Sequence, residues 1–350
     1  MKILIDLSIL KSPNCGLGQV ALNYGQYFRD DYEPREGESI TLLVPKGYFG
    51  KFGDKVKYVE AKRIYRVFPF LIKFTPFDVW HSIHQLSRFL PWGKNNVLTI
   101  HDYNFYYEKQ GHKVDKYLRK IRWKVAIADT VAAISYFTES EVQNFTPTDK
   151  PVHGIPNGIE RIDLLPETRP ANIEEPFLFT IGEVKRKKNF GVLLDMMKLM
   201  PEYHLYIAGN DNTDYAEGLR ARIKNEGIGN VHLMGIVNGE NKCWMYRNCT
   251  AFVFPSLFEG FGLPVLEAML YKKPVISSRE TSLAETCMDH ASFFPPEFET
   301  EKSVEVIRKA IAESTDDELE ESFKYACSFS WKKHVERYLR LYRRTRKGEE

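Results

Sequence analysis

Short apolar runs and longer amphipathic stretches alternate along most of this chain. Ile3 to Leu7, Ile40 to Val44, Val79 to Ser82, Val97 to His101 and Val131 to Ser135 are runs rich in β-branched residues, the pattern of buried strands. Between several of them the period changes. After Leu17 the apolar positions are Val20, Ala21, Tyr24 and Phe28. Between His112 and Ala128 they are Val114, Leu118, Ile121, Val125 and Ala128, and both sets fall on one face of a helix. Strands that alternate with helices predict parallel sheets with helical crossovers.

The alternation pauses over residues 160–176, where Pro166, Pro170 and Pro176 stand among Glu, Arg and Asn, the composition of an exposed linker. It resumes with a strand at Phe177 to Ile181, a helix from Asn189, a strand at Tyr203 to Ala208 and a helix from Thr213. Strands at Val231 to Met234 and Ala251 to Phe254 follow. A last helix from Ser330 carries Trp331, Val335, Tyr338 and Tyr342 on one face. The pattern predicts two doubly wound α/β domains of similar size, residues 1–165 and 176–329. The helix over 330–350 is expected to cross back to the first.

Composition agrees with two soluble domains. A chain of 350 residues exceeds what one hydrophobic core usually organises. Hydrophobic residues at 43% and charged residues at 27% exclude a largely disordered chain. Lys and Arg number 49 against 47 Asp and Glu, and the net charge of +2 gives no footprint for nucleic acid. No run approaches the 18 or so apolar residues of a membrane span. The start, Met-Lys-Ile-Leu-Ile-Asp, has too few apolar residues before Asp6 for a signal-peptide core. Five cysteines without a CxxC pair suit neither a disulfide framework nor a cysteine zinc site. A reducing, cytoplasmic setting is expected.

The segment from Phe254 to Ser278 holds the most chemistry. A strand ends at Phe254, a loop with Gly260 and Gly262 follows, and Pro264 stands where a helix would begin, a position that tolerates proline. Glycines let backbone approach a ligand, and free N–H groups at a helix start attract anions. This is a phosphate site in outline. Glu259 and Glu267 flank it with seven residues between them; as acceptors of hydrogen bonds they suit hydroxyls of a sugar and a ribose. On residues alone, two glutamates favoured by the helix dipole are an equal reading.

The same segment resembles the Glu-x7-Glu region of the large family of retaining glycosyltransferases with the GT-B fold, glycosyltransferase family 4, which includes bacterial mannosyltransferases. Pro-Ser, Glu-Gly-Phe-Gly-Leu-Pro, Glu-Ala and Lys-Pro-Val-Ile-Ser all stand in that family's order. Ile181 to Asn189 is similar to the family's glycine-to-Lys-Asn loop. His101-Asp102, Asp129 to Ser135, Ile155-Pro-Asn-Gly-Ile159 and Phe329-Ser-Trp331 resemble further markers. The resemblance implies a GT-B fold of two Rossmann-like domains facing a cleft. It implies donor-sugar contacts for Glu259, ribose contacts for Glu267, and backbone contacts to sugar and diphosphate from Gly182, Gly260, Phe261, Gly262 and Leu263. Lys188, with Lys187 beside it, would neutralise the departing diphosphate, where preorganised cations stabilise developing charge. His101 would position a hydroxyl near the reacting sugar. Neither a metal nor any other cofactor is expected, because no Asp-x-Asp pair of the metal-dependent type is found. The implied partners are a nucleotide sugar, with GDP-mannose leading, and a glycan or lipid-linked saccharide of a bacterial surface polysaccharide.

Gly16-Leu17-Gly18 opens the first helix and, with Ala21, satisfies G-x-G-x-x-A, which keeps a dinucleotide-dependent oxidoreductase open as a rival. The residues from Ser8 to Cys15 make the approach too long for the tight turn of that fingerprint, and no acid follows the second strand at Leu42-Leu-Val-Pro45. In the transferase reading this loop holds phosphate or acceptor. A nucleotide-sugar epimerase of the same fold and a non-catalytic sugar-nucleotide sensor also stay open. His81 and His84 are expected to line the acceptor side. Lys113, Lys116, Arg119, Lys120, Arg122 and Lys124 make the polar face of the 112–128 helix basic, the pattern of a helix on an anionic membrane surface. The cluster at 332–347 adds to it, and a peripheral place at the inner face of the cytoplasmic membrane is expected.

Overall fold

Ile3, Leu4 and Ile5 are wholly buried, and the strand they form stands in the interior of the first of two sheets. The computed structural model describes residues 1–13, 15–108 and 111–347, without the side chains of 345–347. The chain divides into two units, Met1–Glu160 with Phe329–Glu350, and Arg161–Ser328.

The first unit contains β1 (Lys2–Asp6), α1 (Gly16–Asp30), β2 (Ser39–Val44), β3 (Lys57–Glu60), β4 (Phe77–Ser82) and β5 (Gly93–Ile100). It continues with α2 (Asn104–Glu108), α3 (His112–Ile127), β6 (Thr130–Ala133), α4 (Tyr136–Phe145) and β7 (Val152–Gly154). The seven strands form one parallel sheet in the order β3-β2-β1-β4-β5-β6-β7. The apolar pattern missed β3 and β7 because both are edge strands with no fully buried residue.

The second unit contains β8 (Phe177–Ile181), α5 (Gly191–Lys198), β9 (His204–Ala208), α6 (Asp214–Asn225), β10 (Val231–Gly235) and α7 (Gly239–Asn248). Next come β11 (Ala251–Phe254), α8 (Leu263–Leu270), β12 (Val275–Ser277), α9 (Leu283–Cys287), β13 (Ser292–Phe293), α10 (Thr300–Glu313) and α11 (Asp316–Cys327). Its six strands are parallel in the order β10-β9-β8-β11-β12-β13. Each sheet thus reverses its winding once, at β1/β4 and at β8/β11. Open α/β sheets bind ligands beyond the carboxyl ends of their strands at such a reversal.

The terminal helix, α12 (Trp331–Lys347), belongs to the first unit. Val335, Tyr338 and Tyr342 join that unit's core beside Tyr24 and Phe28. The Tyr342 hydroxyl lies 2.5 Å from His81 Nδ1, Thr99 Oγ1 lies 2.8 Å from His81 Nε2, and Tyr338 stacks on the imidazole at 4.6 Å. His81 is therefore a core residue beneath α12, contrary to the expectation that it lines an acceptor site. Two segments singled out separately in the sequence meet here: Ile159 N–H donates to the Phe329 carbonyl at 2.7 Å. A Cβ on Gly158 would lie 2.4 Å from Trp331 N, so only glycine permits this crossing.

Most of residues 161–176 are exposed, as their prolines predict, yet the segment is anchored to the second unit. Ile162 and Ile173 are buried. Tyr271 donates to the Ile162 carbonyl at 2.7 Å, Thr168 to Glu240 at 2.7 Å, and Arg247 to Glu167 at 2.5 Å. The segment is part of the second unit because its polar groups find partners on α7 and after α8.

Candidate active site

At the β8/β11 reversal two loops leave the carboxyl edge of the sheet side by side. After β8 the chain passes through Gly182 to a 3-10 turn at Arg186–Lys188, then through Asn189 in the left-handed region (φ 55°) into α5. After β11 it runs from Pro255 to Gly262. Leu257 N–H donates to the Lys187 carbonyl at 2.7 Å, and the Ser256 hydroxyl reaches the same oxygen at 3.3 Å. The loops are thereby fixed to each other.

Lys188 and Glu259 form the centre of this arrangement. Their side chains, 10% and 13% exposed, make an ion pair, and Ser256 donates to the same Glu259 Oε1 at 2.6 Å. The ammonium also stands over the Phe254 ring, 4.8 Å from its centroid, a favourable cation–π placement. Its stem lies against Gly182, where a Cβ would come within 3.0 Å of Lys188 Cε. Glu259 is held at its backbone too: its N–H donates to Thr281 Oγ1 at 3.0 Å, and Ser282 donates to its carbonyl at 2.9 Å. A lysine and a glutamate 71 residues apart are thus preorganised with little rotamer freedom left to lose.

Gly262 caps α8 in the left-handed region, at φ 93°, with Leu263 and Pro264 opening the helix. A Cβ there would strike Leu283 at 2.6 Å. Phe261 is buried, and Thr286 donates to its carbonyl at 2.5 Å. Glu267, one turn into α8, accepts from Lys242 Nζ at 3.0 Å and from the Tyr246 hydroxyl at 2.9 Å. Burial together with the Glu267 carboxylate pushes the Tyr246 hydroxyl well above its ordinary range, so it stays a donor. Sequence reading missed Lys242 and Tyr246, which reach the site from α7 and carry no local motif. Of the basic cluster at 185–188, Lys185 pairs with Glu183 at 2.8 Å and Arg186 stands over Tyr215.

His101 and the Gly16–Gly18 turn lie in the first unit. His101 is buried just beyond β5, its Nε2 2.7 Å from the Ile83 carbonyl. Burial lowers its pKa to about 4, partly opposed by that hydrogen bond, so the imidazole is neutral at pH 7. Donation from Nε2 leaves Nδ1 with the lone pair. Gly16 begins α1, and Gly18 N–H donates to Cys15 Sγ at 3.4 Å. A Cβ on Gly18 would lie 2.2 Å from the Ser12 carbonyl, which explains the second glycine as a close backbone approach. The 3-10 turn at Ser8–Lys11 occupies the place where a dinucleotide fingerprint needs a direct strand-to-helix turn.

The basic face of α3 is smaller than its sequence implies. Lys124 is buried and donates to the Phe89 carbonyl at 2.7 Å, and burial lowers its pKa to about 8. Arg122 donates to the Phe145 carbonyl at 3.1 Å. On α12, Arg343 pairs with Glu38 at 2.8 Å and Lys332 with Asp31 at 3.1 Å; the side chains of Arg346 and Lys347 lie outside the described residues. Among the described residues one group could hold a metal: Glu174, His204 and His232, with ligand atoms within 4.8 Å of one another. It stands where β9 and β10 begin, at the opposite end of the sheet from Lys188 and Glu259. No described helix is long and apolar enough to cross a membrane.

Comparison with known proteins agrees with the fold. Residues 163–327 match the family Glycosyl transferases group 1. The chain is 28% identical to O-antigen chain mannosyltransferase B of Escherichia coli over 256 residues, 67% of this chain and 63% of that protein. That match therefore spans less than two thirds of the relative. O-antigen chain mannosyltransferase RfbU of Salmonella typhimurium is 22% identical, over 89% of this chain and 93% of its own length. Among solved structures, Anabaena Alr3699/HepE, crystallised with UDP and glucose, superposes with a TM-score of 0.71 at 16% identity, covering 97% of this chain and 99% of that one. The group 1 match over the second unit and the two Rossmann-ordered sheets give this chain the GT-B fold and a glycosyltransferase domain similar to those of bacterial O-antigen mannosyltransferases.

Proposed function

We propose that this protein is a retaining hexosyltransferase that moves mannose from GDP-mannose to a hydroxyl of a glycan or lipid-linked saccharide in bacterial surface polysaccharide synthesis. The observation that carries this reading is the Lys188–Glu259 pair at the β8/β11 reversal, with Glu267 on the adjoining helix. In the reaction the bond between the anomeric carbon and the diphosphate oxygen breaks, and negative charge grows on the leaving group. Lys188, Lys187 and the N–H groups around Gly260 to Leu263 stabilise that charge. When donor binds, sugar hydroxyls take the place of Lys188 on Glu259, and the freed ammonium turns to the diphosphate. Glu267 accepts from the ribose hydroxyls in exchange for Tyr246 or Lys242. In the first unit we assign His101 to a substrate hydroxyl. Because lysines supply the positive charge, we propose that no metal is needed.

The O-antigen mannosyltransferases among the relatives support mannose as the sugar, and the UDP and glucose in HepE support a nucleotide diphosphate as its carrier. We further propose that Lys113, Lys116, Arg119 and Lys120, the exposed cations of α3, meet the anionic inner face of the cytoplasmic membrane. A thermal-shift panel of GDP-, UDP- and ADP-sugars tests the donor, because a ligand of the folded state raises its stability by mass action. GDP-mannose should give the largest rise, and transfer of labelled mannose with EDTA present should proceed with the α configuration kept. A rise with NADH but with no nucleotide sugar would reverse the reading in favour of an oxidoreductase.

A further inference from the structure

The second unit carries ionisable groups at both ends of its sheet. Lys188 and Glu259 stand beyond the carboxyl edge, whereas His204 begins β9 and His232 is the second residue of β10, at the amino edge. These strands are parallel neighbours with His232 opposite Tyr206, and alternation puts His204 on the same face, two residues before Tyr206. The three rings stack. The His232 centroid lies 5.3 Å from that of His204 and 4.8 Å from that of Tyr206, with interplanar angles of 25° and 20°. The stack fixes the place of both imidazoles.

A carboxylate is brought to them from the segment before β8. The Tyr206 hydroxyl accepts from Glu174 N–H at 2.8 Å and reaches the Asn172 carbonyl at 3.4 Å. Asn172 is in the left-handed region at φ 58°, so the chain turns there and delivers Glu174 beside His204. The next residue, Glu175, pairs with Arg169 at 3.0 Å. Glu174 has no such cation. Among the described residues its one ion-pair partner is His204, whose Nε2 lies 3.5 Å from Oε2, longer than an ordinary hydrogen bond.

The distances suit one metal ion. His204 Nδ1 and His232 Nε2 are 3.1 Å apart. Two nitrogens that each bind a tetrahedral zinc ion at about 2.0–2.1 Å stand about 3.3 Å from each other. A hydrogen bond between the rings fits that distance as well, but it gives the Glu174 carboxylate no role. Ligand atoms of all three residues lie within 4.8 Å of one another. The Glu174 side chain is 67% exposed and can move the short way that coordination requires. Two imidazoles with one carboxylate suit zinc and its transition-metal neighbours, whereas magnesium and calcium take oxygen ligands. Three protein ligands leave the fourth position to water.

We propose that His204 Nδ1, His232 Nε2 and the Glu174 carboxylate form a site for a zinc-class divalent cation that clamps the 161–176 segment to β9 and β10. The ion stabilises the second unit from the end of the sheet opposite Lys188 and Glu259, and the proposal does not depend on the transferase reading. The test uses the full chain without a polyhistidine tag, stripped with EDTA and dialysed free of it. Calorimetric titration with Zn²⁺ should show one equivalent bound, and Co²⁺ should give the visible absorption of a four-coordinate site. Loss of a group that only supports a ligand costs about 10–100-fold in metal affinity, so His204→Asn, His232→Asn and Glu174→Gln should each weaken binding at least about tenfold. His112→Asn, which alters an exposed histidine outside the site, should titrate like the parent. Zn²⁺ should raise the Tm of the parent and not that of His232→Asn. Because Glu174 is exposed, its glutamine variant should keep the parental far-UV circular dichroism, and it decides the matter even if a histidine variant fails to fold. Four outcomes would each overturn the proposal: a parent without one-equivalent binding, a Glu174→Gln variant that binds like the parent, an equal rise in Tm for His232→Asn, and loss of binding in His112→Asn.

Discussion

Replacing Lys188 by methionine tests the centre of the donor site. Lys188→Met keeps the stem that packs against Gly182 and Phe254 and removes only the charge. Glu259 is then a carboxylate 13% exposed, with Ser256 as its remaining side-chain donor. Removing one partner of a fully buried ion pair costs about 3–5 kcal/mol, and the retained serine and slight exposure place this pair at the low end, about 2–3 kcal/mol. For the unit that holds the pair, Arg161–Ser328, that is a drop in Tm of about 4–12 °C. Restoring neutrality with Glu259→Gln in the same chain should recover most of the loss, a coupling of about 2 kcal/mol. Both quantities come from urea unfolding of the parent, the two single variants and the double variant. Activity divides differently: the double variant should stay as impaired as Lys188→Met, because a stabiliser of the leaving group is worth about 10²–10³ in kcat. Equal stability of parent and Lys188→Met, or additive effects of the two substitutions, would refute a tight pair. Transfer at the parental rate by Lys188→Met would remove lysine from the mechanism.

Three further outcomes are expected. Gly262→Ala combines a positive φ with a Cβ 2.6 Å from Leu283, and should cost about 2–4 kcal/mol in urea unfolding; a loss below about 0.5 kcal/mol, the range of ordinary surface substitutions, would contradict the geometry. Gly158→Ala places a Cβ 2.4 Å from Trp331 N and should open the chain near Phe329 to limited proteolysis, visible as release of α12; an unchanged digestion pattern counts against it. Acid should destabilise the first unit through its buried histidines. His84, His101 and His334 have folded-state pKa values lowered to about 3, 4 and 3 by burial, so the unfolded chain binds protons first. Their contribution is complete above about pH 6.5 and is lost as pH falls towards 4, with a slope of about 1.4 kcal/mol per pH unit for each. Resonances of His84, His101 and His334 that titrate near 6.5 in the folded protein would exclude this.

The unequal legibility of the chain has physical causes. Central strands are buried on both faces, so β1, β2, β8 and β11 announce themselves as unbroken apolar runs. The edge strands β3 and β7 do not, because one side has no neighbour and the burial that writes the pattern is missing. The glycines and Glu259 were legible in the same way, since a loop that brings backbone to a ligand must be built from residues that permit it. Their partners Tyr246 and Lys242 were not, because they lie 21 and 25 residues from Glu267 and nothing local fixes their direction.

The sequence by itself determined the alternation of strand and helix, the two parallel sheets, and the residue types at the donor loops. Those properties follow from local periodicity and from the few residues able to make tight turns. Only the tertiary structure decided which charges are free. Lys124 and Lys188 look alike in the sequence, each one cation in a basic run; one is bonded to a backbone carbonyl, the other to a glutamate across a sheet reversal. His81 and His84, three residues apart, part company in the same way, one closed into the core under α12 and one left with an open nitrogen on a cavity wall. His81 lies on β4 and His84 in the loop beyond it, and what each side chain meets is set by elements far away in the chain.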